Sequence, residues 1–85
     1  MNFSEFETIE KIRKSAAAIH KQERELAKQE KGLAENQLLA QRLGLEKNAE
    51  AEAAVNSMRT KITEMKATHN KFVLGTGLGL ELFPE

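Results

Sequence analysis

Cysteine is absent from this 85-residue chain, which excludes disulfides, zinc–thiolate sites and thiol nucleophiles together and fits an intracellular compartment. Tryptophan and tyrosine are absent too, leaving four phenylalanines as the only aromatic residues. Proline occurs once, at Pro84, and only Gly32 and Gly44 interrupt residues 4–74 with glycine. Neither sign of charge is in excess, with 13 basic against 13 acidic residues. A chain that held nucleic acid through its phosphates would carry a basic surplus, so no nucleic-acid partner is expected. The longest apolar run, Phe72 to Phe83, spans about 12 residues and contains Glu81. That is short of the roughly 20 residues a membrane-spanning helix needs. The opening MNFSEFETIE is acidic where a secretory signal is basic and then apolar, so no targeting peptide is expected.

What remains is rich in Ala, Glu, Lys, Leu and Arg, the composition of long helices and coiled coils. Ser4 followed by Glu7 matches a capping box, and Glu5, Glu7 and Glu10 place negative charge near the positive end of the helix dipole. The expected fold is all-α: a long helix forming a coiled coil with a partner chain, then a short extended C-terminal tail. The divisions are a lead over residues 1–3, a coiled-coil helix over 4–74 with a stutter around 34–50, and a glycine-rich extended tail over 75–85.

The apolar residues follow a heptad. With Ile9 at position a, the seam continues through Ile12, Ala16, Ile19, Glu23, Leu26, Glu30 and Leu33. A second seam runs through Ala51, Val55, Met58, Ile62, Met65, His69 and Phe72, displaced from the first by four residues. In one continuous helix that displacement is a stutter, which unwinds the supercoil locally. The sequence favours this continuous rod, roughly 100 Å long. The alternative is an αα-hairpin broken at RLGLEKNAE, with Gly44 as C-cap and Asn48 as N-cap.

A lone helix of this kind is unstable until its apolar stripe is covered, so the seams predict a coiled-coil protein partner. In a parallel in-register homodimer Glu23 would face Glu23 and Glu30 would face Glu30, which favours a heteromer. Ile9, Ile12, Ala16, Ile19, Glu23, Leu26, Glu30, Leu33, Val55, Met58, Ile62, Met65, His69 and Phe72 are the expected partner interface.

No catalytic, cofactor-binding or metal-ligating set is expected, and no enzymatic activity. The two imidazoles, His20 and His69, lack the i, i+4 spacing of a helical metal site. His20 sits on the solvated flank of the seam, and His69 occupies an a position as a tolerated polar residue near a fraying helix end, the alternative being a pH-sensitive or register-setting polar layer. The segment GTGLGL has a helix before its glycines and none after, the reverse of a phosphate loop.

Gly75 is placed to stop the helix. Beyond it Leu78, Leu80 and Leu82 alternate as in a strand and are the expected contact residues of the tail. Phe72 with the run Leu78, Gly79, Leu80, Glu81 and Leu82 resembles the kinetochore coiled-coil family of spindle pole component twenty-five. That resemblance implies a heterodimeric rod linking centromere to spindle microtubules, a nuclear location at the kinetochore, and a role in chromosome segregation during mitosis. It also implies that this chain keeps the pairing helix and lacks the family's C-terminal globular domain. The alternative function is a coiled-coil tether whose apolar tail FVLGTGLGLELF rests on a membrane. The lack of a flanking basic cluster and the presence of Glu81 weigh against it.

Overall fold

The computed structural model describes residues 3–84 and contains two helices, α1 (Phe3–Leu43) and α2 (Ala49–Thr76). Of the expected N-terminal lead, Phe3 is already helical, and residues 1 and 2 lie outside the described residues, as does residue 85 of the tail. Ser4 therefore sits inside the first turn rather than capping it, and its carbonyl accepts from Thr8 Oγ1 at 2.9 Å.

The fold is all-α, as expected, but the rod is folded in two. α1 ends at Leu43 because Gly44 takes a left-handed φ of 70°. The Gly44 amide then donates to Gln41 O and the Leu45 amide to Ala40 O, the paired bonds of a Schellman motif. Four residues later Asn48 restarts the helix. Its backbone is extended and its side-chain oxygen accepts from the Ala51 amide at 3.1 Å, while Glu50 and Glu52 favour the dipole of the new first turn. One glycine in the left-handed well and one capping asparagine suffice to reverse the chain. A second glycine or a proline is not required.

The reversal lays the two seams against each other within one chain. Gln37 bonds Glu52, Glu30 pairs with Arg59 at 3.3 Å, Glu23 with Lys66 at 3.0 Å, and Ser15 meets His69 at 2.8 Å. Partners climb α2 as they descend α1, so the helices are antiparallel. The four-residue phase displacement is absorbed by the non-helical stretch 44–48, where the helical phase is free to reset. The core is thin: its buried aliphatic residues are Ile12, Ala16 and Ile19 on α1 and Val55, Ile62 and Val73 on α2. Burying each of the larger aliphatic side chains contributes about 1.5–3 kcal/mol.

One seam position differs. Phe72 is 43% exposed and Val73 is fully buried in its place. A straight helix turns once per 3.6 residues, not 3.5, so the inward face drifts ahead of a strict heptad. By the end of α2 the step from Ile62 has become eleven residues, and Val73 faces the core. The two acidic a positions also change meaning. Across this seam Glu23 and Glu30 meet Lys66 and Arg59 rather than copies of themselves, and the clash that favoured a heteromer does not arise. Because the side chains of both pairs are a third or more exposed on at least one partner, each pair contributes about 0.2–1 kcal/mol.

α1 has 41 residues against 28 in α2, and its length of roughly 60 Å matches the longest molecular dimension of 62 Å. The first turns of α1 therefore extend past the end of α2, with Phe3 and Phe6 exposed. Since the seam is closed within the chain, helical circular dichroism of the purified protein is expected to stay constant across about a hundredfold dilution. A signal that fades on dilution places the seam between chains instead. Ile19→Ala and Ile62→Ala are each expected to lower stability by about 2–4 kcal/mol in urea unfolding, and Phe72→Ala by much less.

Candidate functional site

Past α2 the chain turns back rather than running on. The helix continues through Gly75 to Thr76 and is capped by Gly77, with φ 73° and its amide donating to Leu74 O at 3.3 Å. Gly75 was the expected stop. The helix outruns it because Val73 and half-buried Thr76 still lie on the inward face, and Gly77 offers the same left-handed freedom two residues later. Thr76 closes the end with its hydroxyl, which donates to Val73 O at 2.6 Å and accepts from the Leu78 amide at 3.3 Å.

The expected strand is absent: among the described residues the tail has no ladder and no sheet to join. Gly77, Gly79 and Glu81 all have positive φ, at 73°, 64° and 55°. Left-handed residues at every second position destroy the pleat that alternation of Leu78, Leu80 and Leu82 predicts. For a non-glycine residue such as Glu81 that conformation costs about 1 kcal/mol.

What holds the tail is a polar layer on His69, which is 2% exposed. Its Nε2 lies 2.6 Å from the Glu81 carbonyl and its Nδ1 2.8 Å from Ser15 Oγ. A carbonyl only accepts, so Nε2 carries the proton, and Nδ1 accepts from the Ser15 hydroxyl in the neutral imidazole. The next residue completes the clasp. Asn70 Nδ2 donates to Phe83 O at 2.7 Å, and its Oδ1 accepts from the Phe83 amide at 2.9 Å. One side-chain amide thus satisfies both backbone groups of Phe83. The Phe83 ring packs against His20 and His69, each with centroids 5.2 Å apart, and Lys66 Nζ lies 5.7 Å from the ring centre. Lys66 and His20 both reach Glu23, at 3.0 and 3.3 Å, which ties the tail layer to the charged layer of the seam.

The arrangement positions a segment; it is poorly set for acyl transfer. Ser15 and His69 form the pair a nucleophile and base would, but His69 is buried and its second nitrogen faces a neutral carbonyl. Ser15 lies mid-helix in α1, where neighbouring amides are taken by helical bonds and none is left to hold an oxyanion. Among the described residues no group of three His, Asp or Glu side chains is placed to hold a metal ion. No helix among them is long and apolar enough to cross a membrane.

Of the residues expected at a partner interface, all but Phe72 are buried or half-buried inside the hairpin. Leu78, Leu80 and Leu82, expected as tail contacts, are 39%, 40% and 44% exposed, and the ring contacts to His20 and His69 are made by Phe83. Ser15, Asn70 and Phe83 carried no recognisable signal, because each acts only through an element distant in sequence. A second feature lies at the closed end. Leu38, Leu39, Leu43 and Leu45 are 51%, 54%, 62% and 63% exposed, beside an open groove of about 510 Å³ lined by Ala34, Gln37, Ala40 and Lys47.

His69→Ala is expected to cost about 2–4 kcal/mol in urea unfolding, since it leaves a void and strips Ser15 and the Glu81 carbonyl of their partner. Asn70→Ala is expected to cost about 1 kcal/mol and to speed hydrogen exchange selectively at the Phe83 amide. Comparison of the chain with protein-family models, curated proteins and solved structures gives no match, so function is read from this geometry.

Proposed function

We propose that this chain is a non-enzymatic interaction subunit, a self-paired helical hairpin that docks into a larger protein assembly through its closed end. The supporting observation is the cluster of four half-exposed or more exposed leucines around the turn. Scattered surface leucines need no explanation, but four within eight residues, beside an open groove that Leu38 and Leu45 help to line, are the pattern of a contact surface. The partner is a protein that brings an apolar helix to this end, adding a third or fourth helix to the pair. Glu23 and Glu30 are matched by Lys66 and Arg59 within the chain and do not discriminate a heteromer from a homomer. A foreign chain remains our reading on the strength of the leucine cluster.

The resemblance of residues 72–82 to the kinetochore family would make that assembly the rod between centromere and microtubule, with the chain in the nucleus. In support stands the helical character of residues 3–43 and 49–76. The tail segment that carries the resemblance is meanwhile engaged by α1 and α2, through Glu81 and Phe83. That engagement also weakens the membrane-tether alternative, for which Phe83 would have to leave its seat.

The test is crosslinking with mass spectrometry on the tagged chain in cells. Lys31 and Lys47 are expected to crosslink to one recurrent foreign chain. Leu38→Gln with Leu43→Gln should abolish those crosslinks while leaving the helical signal intact. Crosslinks that survive the double substitution would sink the reading.

A further inference from the structure

The tail is gripped chiefly by its backbone. His69 takes the Glu81 carbonyl, and Asn70 takes both the amide and the carbonyl of Phe83. Hydrogen bonds of this kind do not depend on which side chains the bound segment carries. Among the described residues of the tail, the side chain with ring and cation contacts is Phe83, between His20, His69 and Lys66, while Leu78, Leu80 and Leu82 are about 40% exposed. This is how a peptide is held in a groove: backbone pairing supplies the grip and one pocket supplies selectivity.

We propose that this face of the hairpin is a binding groove for an extended segment of another protein, of the pattern aromatic–proline–acidic, and that the chain's own tail is a displaceable occupant. The aromatic preference follows from the seat of Phe83, whose ring packs at an angle against two imidazoles and has a lysine ammonium over it. The acidic preference follows from a groove of about 650 Å³ beside Pro84, lined by Thr63, Ala67, Asn70 and Leu74 together with Lys66 and Lys71. The Lys71 ammonium beside this groove, with Lys66 nearby and shared with Glu23, complements a carboxylate placed after the proline.

The tail is displaceable because it reaches the groove under constraint. To turn back from α2 within four residues of Gly77, it holds Glu81 at a φ of 55°, a conformation suited to glycine. A segment arriving from another chain has no such turn to make, and one with glycine at that position takes the same path without the clash. The short connection gives the tail a high local concentration, so a partner must fit better than the tail to replace it. The groove lies along the open half of the hairpin, away from the leucine cluster, and the inference is independent of that docking surface.

The test uses the full chain and a fluorescent peptide, GLGLELFPE, copied from residues 77–85. A Phe83→Ala chain, whose tail no longer fills the seat, is expected to bind the peptide at least about tenfold more tightly than the unsubstituted chain. Adding Asn70→Ala to that chain should lose the gain. Replacing the first glutamate of the peptide, the one copied from Glu81, with glycine should strengthen binding, and replacing its phenylalanine with alanine should abolish it. Equal binding by the two chains, or by peptides with and without phenylalanine, overturns the proposal.

A second measurement stands apart from the folding of the Phe83→Ala chain. With Leu82→Cys as the sole thiol, a spin label on the tail broadens the His20 and Lys66 amides. Excess unlabelled peptide should restore those signals. Broadening that persists at saturating peptide overturns the proposal. A concentration-dependent dimer of the unsubstituted chain that Phe83→Ala abolishes would assign the groove to a second copy, and would equally overturn a foreign occupant.

Discussion

The chain reversal between Gly44 and Asn48 is the constraint on which everything else in this molecule depends. A left-handed residue closes α1 with two backbone bonds, and an asparagine opens α2 by taking one orphan amide. With the reversal in place, two incomplete apolar stripes become each other's partner. Without it, each stripe would need a second chain to leave water. The reversal also converts a liability into a match, because acidic positions on α1 come opposite Lys66 and Arg59 on α2.

The second organising feature is polar. His69 stands in the core with both nitrogens engaged, one to α1 and one to the tail. A buried polar group whose partners lie on two other segments fixes their register, since any slip leaves it unsatisfied. The aliphatic layers are less particular about register. Isoleucine against valine is nearly as favourable one layer along, whereas an imidazole facing a methyl group is not. His69 thus joins three segments that a thin aliphatic seam could not align by itself, and the Phe83 seat forms around it. The hairpin acquires two distinct ends: a closed end rich in exposed leucine, and an open half whose groove is already filled.

Much of this was legible from residue spacing. Both heptad seams, their four-residue displacement, and the capping potential of Gly44 and Asn48 are local properties that follow from helical periodicity and from one residue's freedom at positive φ. The sequence favours a continuous rod because a lone glycine and asparagine are weak breaking signals, yet they are enough to turn the chain. A strict heptad puts Phe72 inward, whereas a straight helix drifts off that period and brings Val73 in. Leucines at alternate positions predict a strand in the tail. That pattern assumes a pleated backbone, and the glycines between the leucines were free to abandon it. Ser15, Asn70 and Phe83 were not legible, for none belongs to a local pattern: each acquires its role from a group 13 or 54 residues away.

By itself, then, the sequence determined an all-helical chain with two amphipathic stripes, a place where it can turn, and the chemical classes it does without. Periodicity and capping act over a few residues, so spacing alone carries them. Only the tertiary structure decided which stripe covers which, that the acidic layers meet bases, and that the tail returns to sit on His69 and Asn70. Those outcomes turn on the competition between burying a seam within the chain and burying it against another. That competition is decided by the geometry of one turn and by contacts between residues that no local pattern relates.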